Sequence, residues 1–137
     1  MGAALAGSRD FIAEAWRLKQ QMGGAMRQAG IIAAGGVYAL RHHVKRLAED
    51  HANARRLAEG LAGLPGVRLD PATVETNLVF FELTGPLDAD AVVERLLARG
   101  VRVGAMQART LRAVTHLDVS AAQIERALEA AADVLTG

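Results

Sequence analysis

The 137-residue chain contains no cysteine. That excludes a disulfide, a thiolate metal ligand and a cysteine nucleophile, and it permits a reducing compartment. Neither sign of charge dominates: 16 basic and 15 acidic residues give a formal net charge of +1. They are spread along the chain without forming a basic face, so a nucleic-acid partner is not expected. Long apolar runs are also missing. The longest, Ala29 to Leu40, is interrupted by glycines and falls well short of the roughly 20 residues that span a bilayer. No charged leader followed by a long apolar core opens the chain, and the expectation is a soluble, cytoplasmic protein with no membrane partner. Lysine is scarce, with only Lys19 and Lys45. What is present in quantity is hydrophobic sequence, 51% of the chain, enough for the core of one domain, or of one domain and a fragment. There is no internal repeat and no low-complexity segment.

Met1 to Gly7 is small and apolar, too short for a helix of its own, and reads as an extended lead into Ser8. The Ser8 hydroxyl can accept a free backbone N–H at the start of a helix from Arg9 to Gln21, which Gly23-Gly24 ends. From Arg27 onward, Ile31, Val37, Leu40, Val44, Leu47, Ala54, Leu57 and Leu61 recur at spacings of three, four or their multiples. That pattern predicts one buried stripe on a single long helix, with a kink at His42-His43. Leu64-Pro65-Gly66 stops it, because proline lacks the backbone donor and glycine accepts the left-handed conformation that closes helices.

Beyond that stop the period changes. Val67-Arg68-Leu69 and Asn77 to Leu83 predict two strands separated at Asp70-Pro71. Asp88 caps a helix to about Arg99, with Val92, Val93, Leu96 and Leu97 turned inward and Gly100 at its end. Strands are predicted at Val101-Arg102-Val103 and Leu111 to Thr115. Ser120 and Gln123 have capping-box spacing and open a last helix through Ile124, Leu128, Ala131 and Leu135. Strand, strand, helix, strand, strand, helix predicts an α+β fold in which a small mixed or antiparallel sheet packs helices on one face.

Arg112 is the strongest site candidate. A planar guanidinium can grip a carboxylate through two parallel hydrogen bonds, and a charge between Leu111 and Ala113-Val114 is unusual for mere surface solvation. The alternative is that strand residues alternate faces and Arg112 points outward. Gly23 and Gly24 allow the backbone to approach an anion or another chain closely, and Arg27 offers a cation beside them; equally, the three form a helix break with one exposed arginine. His116 and Asp118 would share a strand face, a candidate catalytic pair, or else form a structural corner before the last helix. Arg109 suits either anion binding or an exposed loop. Asn77, ahead of its strand, is assigned backbone bonding only. His43 and His51 are eight residues apart, too far for an i, i+4 clamp, and no metal site is expected. Both lysines sit among polar helix neighbours without the apolar surroundings of a reactive amine, so no residue of the chain is assigned a catalytic role.

Several strings are shared with one family. Leu111-Arg112-Ala113-Val114-Thr115-His116-Leu117-Asp118-Val119-Ser120, Met22-Gly23-Gly24-Ala25-Met26-Arg27-Gln28-Ala29-Gly30, Gly7-Ser8-Arg9-Asp10-Phe11-Ile12, the run from Arg46 to Leu61, and Thr76-Asn77-Leu78-Val79-Phe80-Phe81 resemble the C-terminal part of the low-specificity L-threonine aldolases. These are pyridoxal-phosphate lyases of the aspartate-aminotransferase fold type. The resemblance implies the small C-terminal domain of a fold-type-I enzyme, an α/β arrangement preceded by a long helix. Residues 1–22 would be a remnant of the large cofactor domain with a connecting helix, and 23–137 the small domain with its long linking helix. It further implies that the complete enzyme cleaves L-threonine or L-allo-threonine to glycine and acetaldehyde, that Arg112 holds the amino-acid carboxylate, and that Gly23, Gly24 and Arg27 lie near the cofactor or a subunit boundary of a homo-oligomer. The family's Schiff-base lysine sits on a Ser-Lys-Gly-type loop before the position where this chain starts. The chain is therefore expected to bind no pyridoxal 5'-phosphate covalently and to be inactive alone. Two positions depart from the family pattern, Ala25 for a third glycine and Gln20 for a lysine. They keep open a free-standing non-catalytic assembly or small-ligand-binding domain, and a separate polypeptide supplying the lysine is a further possibility.

Overall fold

The computed structural model describes residues 3–136. It divides into two compact units, Met1–Arg46 and Leu47–Gly137.

The first unit holds two helices. Residues 3–8 are irregular, and the Ser8 hydroxyl accepts from the Phe11 N–H at 3.2 Å to start α1, Arg9–Gln21. Of the expected extended lead, the first two residues lie outside the described range. α2 runs Gly30–His42. Neither helix buries a residue.

The single long helix expected from Arg27 to Leu61 is instead two: after α2 the chain passes through turns at 43–46, and α3 spans Leu47–Ala62. The stripe divides with it. Ile31, Val37, Leu40, Val44 and Leu47 are exposed, whereas Ala54, Leu57 and Leu61 are buried. Helical spacing persists across the break, so periodicity alone could not locate it.

The second unit is a four-stranded sheet with helices on one face. Its strands are β1 Val67–Arg68, β2 Leu78–Leu83, β3 Gly104–Gln107 and β4 Thr110–Val114, in the order β1-β2-β4-β3. All three pairings are antiparallel. A strand was expected at Val101–Val103; the ladder in fact begins at Gly104, and 101–103 is an unpaired link from the preceding helix. The helices are α3, α4 (Ala89–Leu97) and α5 (Ala121–Thr136). The Asp88 carboxylate caps α4 through the Ala91 N–H at 2.9 Å. Ser120 and Gln123 form the expected reciprocal box, with the Ser120 N–H donating to Gln123 Oε1 at 2.8 Å and the Gln123 N–H to Ser120 Oγ at 3.4 Å. Leu97, expected inward, is exposed, because the adjacent Leu96 takes the inward position in that turn and the next residue lies about 100° round the helix.

Strand pleating fixes what faces the helices. Val79, Phe81, Leu83, Leu111 and Ala113 are buried on the inner face and pack with Leu57, Leu61, Val92, Leu96 and Ile124. Leu78, Phe80, Arg112 and Val114 point the other way and are exposed. Arg109, weighed for anion binding, is a clasp: its Nε donates to the Leu83 carbonyl at 2.7 Å and an Nη to the Gly85 carbonyl, fastening the end of β2. Adjacent β4 residues should therefore behave oppositely. Leu111→Ala is expected to lower the unfolding free energy by about 2–5 kcal/mol through the cavity it opens, and Arg112→Ala to change it by no more than about 0.5 kcal/mol, both read by urea denaturation.

Candidate functional site

Arg112 occupies the middle of β4, opposite Phe80 of β2 on one side and Gly104 of β3 on the other. Its side chain lies on the open face of the sheet. Gly104 contributes nothing to fill the space on that flank; a Cβ built there meets only the Arg112 carbonyl oxygen, at 3.9 Å. Phe80 supplies a half-exposed aromatic ring on the other. The arginine is thus framed by a ring and a gap. Sequence reasoning had not singled out either neighbour, because pairing register is set by turns and packing and not by local composition.

The charge of Arg112 is available. Among the described residues its guanidinium makes no hydrogen bond or ion pair, whereas Arg17, Arg56 and Arg68 are engaged by Glu14, Glu125 and Glu82. The carboxylate on the same face of β2, Glu82, is held by Arg68, whose Nε donates to it at 3.1 Å. That hydrogen bond keeps the Glu82 carboxyl below its ordinary range and the Arg68 guanidinium above its own. Committed to Arg68, Glu82 leaves Arg112 free for an external anion.

The end of β4 is tied down by a small polar knot. The Thr115 N–H donates to the Asn77 carbonyl at 3.0 Å, and the Asn77 side-chain amide returns a bond to the Thr115 carbonyl at 2.8 Å. The buried Thr115 hydroxyl donates to the Asp50 carbonyl of α3 at 2.7 Å. Asn53 of α3 donates to the Val119 carbonyl at 3.0 Å. Strand, following turn and helix are joined through these four bonds. Asn77 thus has the backbone-bonding part expected of it.

His116 and Asp118 lie in the turn after β4, both exposed. The Asp118 N–H donates to His116 Nδ1 at 3.3 Å, and the Asp118 carboxylate stands 3.4 Å from the same nitrogen. An unprotonated Nδ1 serves the first contact and a protonated one the second. Either way the pair closes a local turn.

In the first unit, Gly23 and Gly24 terminate α1. Gly23 has φ +73°, its N–H bonds to the Gln20 carbonyl at 3.2 Å, and the Gly24 N–H reaches back to Lys19 at 2.8 Å. This is the paired closure that a left-handed glycine permits. A side chain at Gly24 would crowd the Lys19 carbonyl oxygen at 3.2 Å. Helix closure accounts for both glycines. Arg27 is exposed and, among the described residues, makes no hydrogen bond or ion pair.

An aldehyde cofactor held covalently needs an enclosed amine. Both lysines are exposed: the Lys19 ammonium lies over the Trp16 ring at 4.9 Å, and Lys45 sits in the turns after α2. Neither lines the cavity of the second unit. The residues described here do not fit covalent attachment of pyridoxal phosphate. Among them, no group of three or more histidines or carboxylates is placed to hold a metal ion, and no helix is long and apolar enough to cross a membrane.

If the Thr115 knot holds β4 to α3, Thr115→Val, which keeps the shape and loses the hydroxyl, should destabilise the second unit by about 0.5–1.5 kcal/mol by removing one buried hydrogen bond. Denaturation with amide exchange at Val114 and Thr115 measures it.

Comparison with known proteins sets this geometry in context. A profile of the beta-eliminating lyase family matches residues 1–84. The chain is 44% identical over 126 residues to the low specificity L-threonine aldolase of Escherichia coli (strain K12), covering 90% of this chain and 35% of that protein. It is 31% identical over 130 residues to low-specificity L-threonine aldolase 1 of Arabidopsis thaliana, covering 93% and 36%. This chain thus spans about a third of the length of these relatives. A match over 90% of the chain includes position 112 wherever it begins. Among solved structures, a mutant of C-DES with glycine covalently linked to its PLP cofactor superposes with a TM-score of 0.62 at 24% identity, over 77% of this chain and 28% of that one. The likeness bears out the expected fold, a small antiparallel sheet with helices as found in fold-type-I pyridoxal-phosphate enzymes.

Proposed function

The chain belongs to the beta-eliminating lyase family, and on that premise we propose that it is the carboxylate-binding part of a threonine-aldolase-like lyase, the whole of which cleaves L-threonine or L-allo-threonine to glycine and acetaldehyde. One observation carries the reading: Arg112 stands unpaired at the centre of the sheet's open face, inside the stretch shared with the aldolases. Its two parallel N–H donors orient an amino acid's carboxylate as well as attract it. The empty flank at Gly104 gives the acid room, and the Thr115–Asn77–Asp50 bonds hold the strand that presents it.

Pyridoxal 5'-phosphate, when bound by the whole enzyme, supplies the electron sink for carbon–carbon cleavage. With no enclosed lysine of its own, this chain holds the substrate's acid group and leaves covalent attachment of the cofactor to other parts of the enzyme, so it is inactive alone. Gly23, Gly24 and Arg27 belong in this reading to the neighbourhood of the cofactor phosphate or of a subunit boundary, with Arg27 the one charged contributor. Residues 1–22 belong to the cofactor domain and its connecting helix, and the compartment is the cytoplasm. The complete protein is a homo-oligomer. The exposed apolar residues of α2, with Ile31 at 84% and Leu40 at 74% exposure, are what an association surface needs.

The alternative, a non-catalytic assembly or small-ligand domain, draws on Gln20 and Ala25 as departures from the aldolase pattern. The intact Arg112 segment favours the lyase.

Two experiments test the proposal. Pyridoxal phosphate added to this chain, followed by borohydride, is expected to leave no stoichiometric adduct at a single lysine by mass spectrometry; such an adduct, or threonine turnover by the chain alone, would overturn the inactive-part reading. A chimera carrying this chain in place of the matching segment of the bacterial aldolase is expected to cleave threonine. In it Arg112→Ala should raise KM in proportion to a loss of about 2–5 kcal/mol, the unpaired substrate charge included, and an unchanged KM would end the anchor assignment. Sedimentation velocity checks the oligomer: the chain should self-associate, and Ile31→Glu with Leu40→Glu should shift it toward monomer.

A further inference from the structure

On the helix side of the sheet, opposite the face that carries Arg112, the second unit contains a cavity of about 350 Å³. That volume lies within the range of small-molecule sites, roughly 300–1,000 Å³. Its apolar wall is made by Leu61 of α3, Phe81 of β2, Leu96 of α4 and Ile124 of α5, all buried core residues. The chain carries 15 acidic residues, yet no carboxylate lines this space, and three arginines do: Arg99, Arg102 and Arg126.

The polar groups sort into committed and free. The Thr115 hydroxyl is used by the Asp50 carbonyl and Gln123 Oε1 by Ser120. Arg99 donates to the Arg95 carbonyl at 3.2 Å. Among the described residues Arg102 and Arg126 make no hydrogen bond or ion pair, and both are exposed. The space therefore offers an apolar wall and, at its solvent-exposed lining, two guanidiniums without a partner among the described residues. A uniformly polar metabolite would lose its hydration against the wall without replacement. A purely apolar one would leave the cations unused.

We propose that this cavity binds an amphipathic monocarboxylate, with a compact apolar body of about eight carbons against Leu61, Phe81, Leu96 and Ile124 and its carboxylate held by Arg102 and Arg126. The site is separate from the Arg112 face and does not depend on the lyase reading. A planar guanidinium and a carboxylate match geometrically, and the pair sits beside apolar surface where its attraction is screened less than in open water.

Calorimetric titration of the 137-residue chain with octanoate, octanol and acetate tests the assignment. Octanoate is expected to bind, octanol about tenfold more weakly, as suits the loss of one charge-assisted contact at an exposed rim, and acetate not measurably. In Arg102→Gln/Arg126→Gln, which alters only exposed side chains and should keep the wild-type circular dichroism, octanoate should fall to the affinity of octanol. Amide shifts on titration should centre on residues 96–103 and 124–127. No octanoate binding, octanol binding as tight as octanoate, acetate binding as tight as octanoate, full affinity in the double variant, or amide shifts that spare residues 96–103 and 124–127 would each overturn it.

Discussion

The alternation of β4 is the constraint from which the second unit follows. Its residues Leu111 and Ala113 lie in the core, and Thr115, just beyond its end, is buried with them. Arg112 and Val114 stand on the open face between. A slip of one residue in pairing would bury the guanidinium and expose Leu111, so the register with β2, Phe80 against Arg112 and Phe81 against Leu111, is enforced by the cost of burying an unpaired charge together with the gain from burying leucine. Thr115 reinforces the same register at the strand's end, because its hydroxyl finds the Asp50 carbonyl only when that side chain points inward. Packing and polar bonding select one alignment, and that alignment displays Arg112.

How legible this was in the sequence depends on the range of each interaction. Ser8, Asp88 and the Ser120–Gln123 box were readable because a cap joins residues three apart, and each is found as expected. β2 and α5 were readable from composition and period. The strand expected at Val101–Val103 was displaced because alternation marks half-buried residues whether or not they join a ladder; Val101 and Val103 do pack toward the core, but pairing starts at Gly104. The work of Arg109 was hidden for a different reason. Its acceptors are the carbonyls of Leu83 and Gly85, more than twenty residues away, and no local pattern announces a side chain bonding to remote backbone. Arg112 was legible as a candidate from its apolar neighbours, yet its frame of Phe80 and Gly104 required the register.

The broken long helix has a physical cause of the same kind. Both segments have helical period, but composition distinguishes them: Gly30–His42 is apolar nearly all round with three glycines, whereas Leu47–Ala62 pairs a buried stripe with a charged face. A helix apolar on every side belongs where every side is covered. α3 covers its stripe within its own unit, against β2 and α5 side chains, and buries Asn53, Ala54, Leu57, Ala58 and Leu61. α2 has no such cover among the described residues, since none of its side chains is buried. One stripe drawn through both segments therefore joined two helices with different packing requirements.

That difference bears on where specificity resides. The second unit carries its own core, its knot at Thr115 and both faces of its sheet, and its two sets of unpaired arginines stand on opposite sides: Arg112 on the open face, Arg102 and Arg126 by the cavity among the helices. β4 contributes to both, through Arg112 outward and Ala113 inward. A ligand bound in the cavity as proposed would contact the back of the strand whose front carries Arg112. β4 is thus the element common to both surfaces, and its pairing with β2 fixes Arg112 and Ala113 on opposite faces.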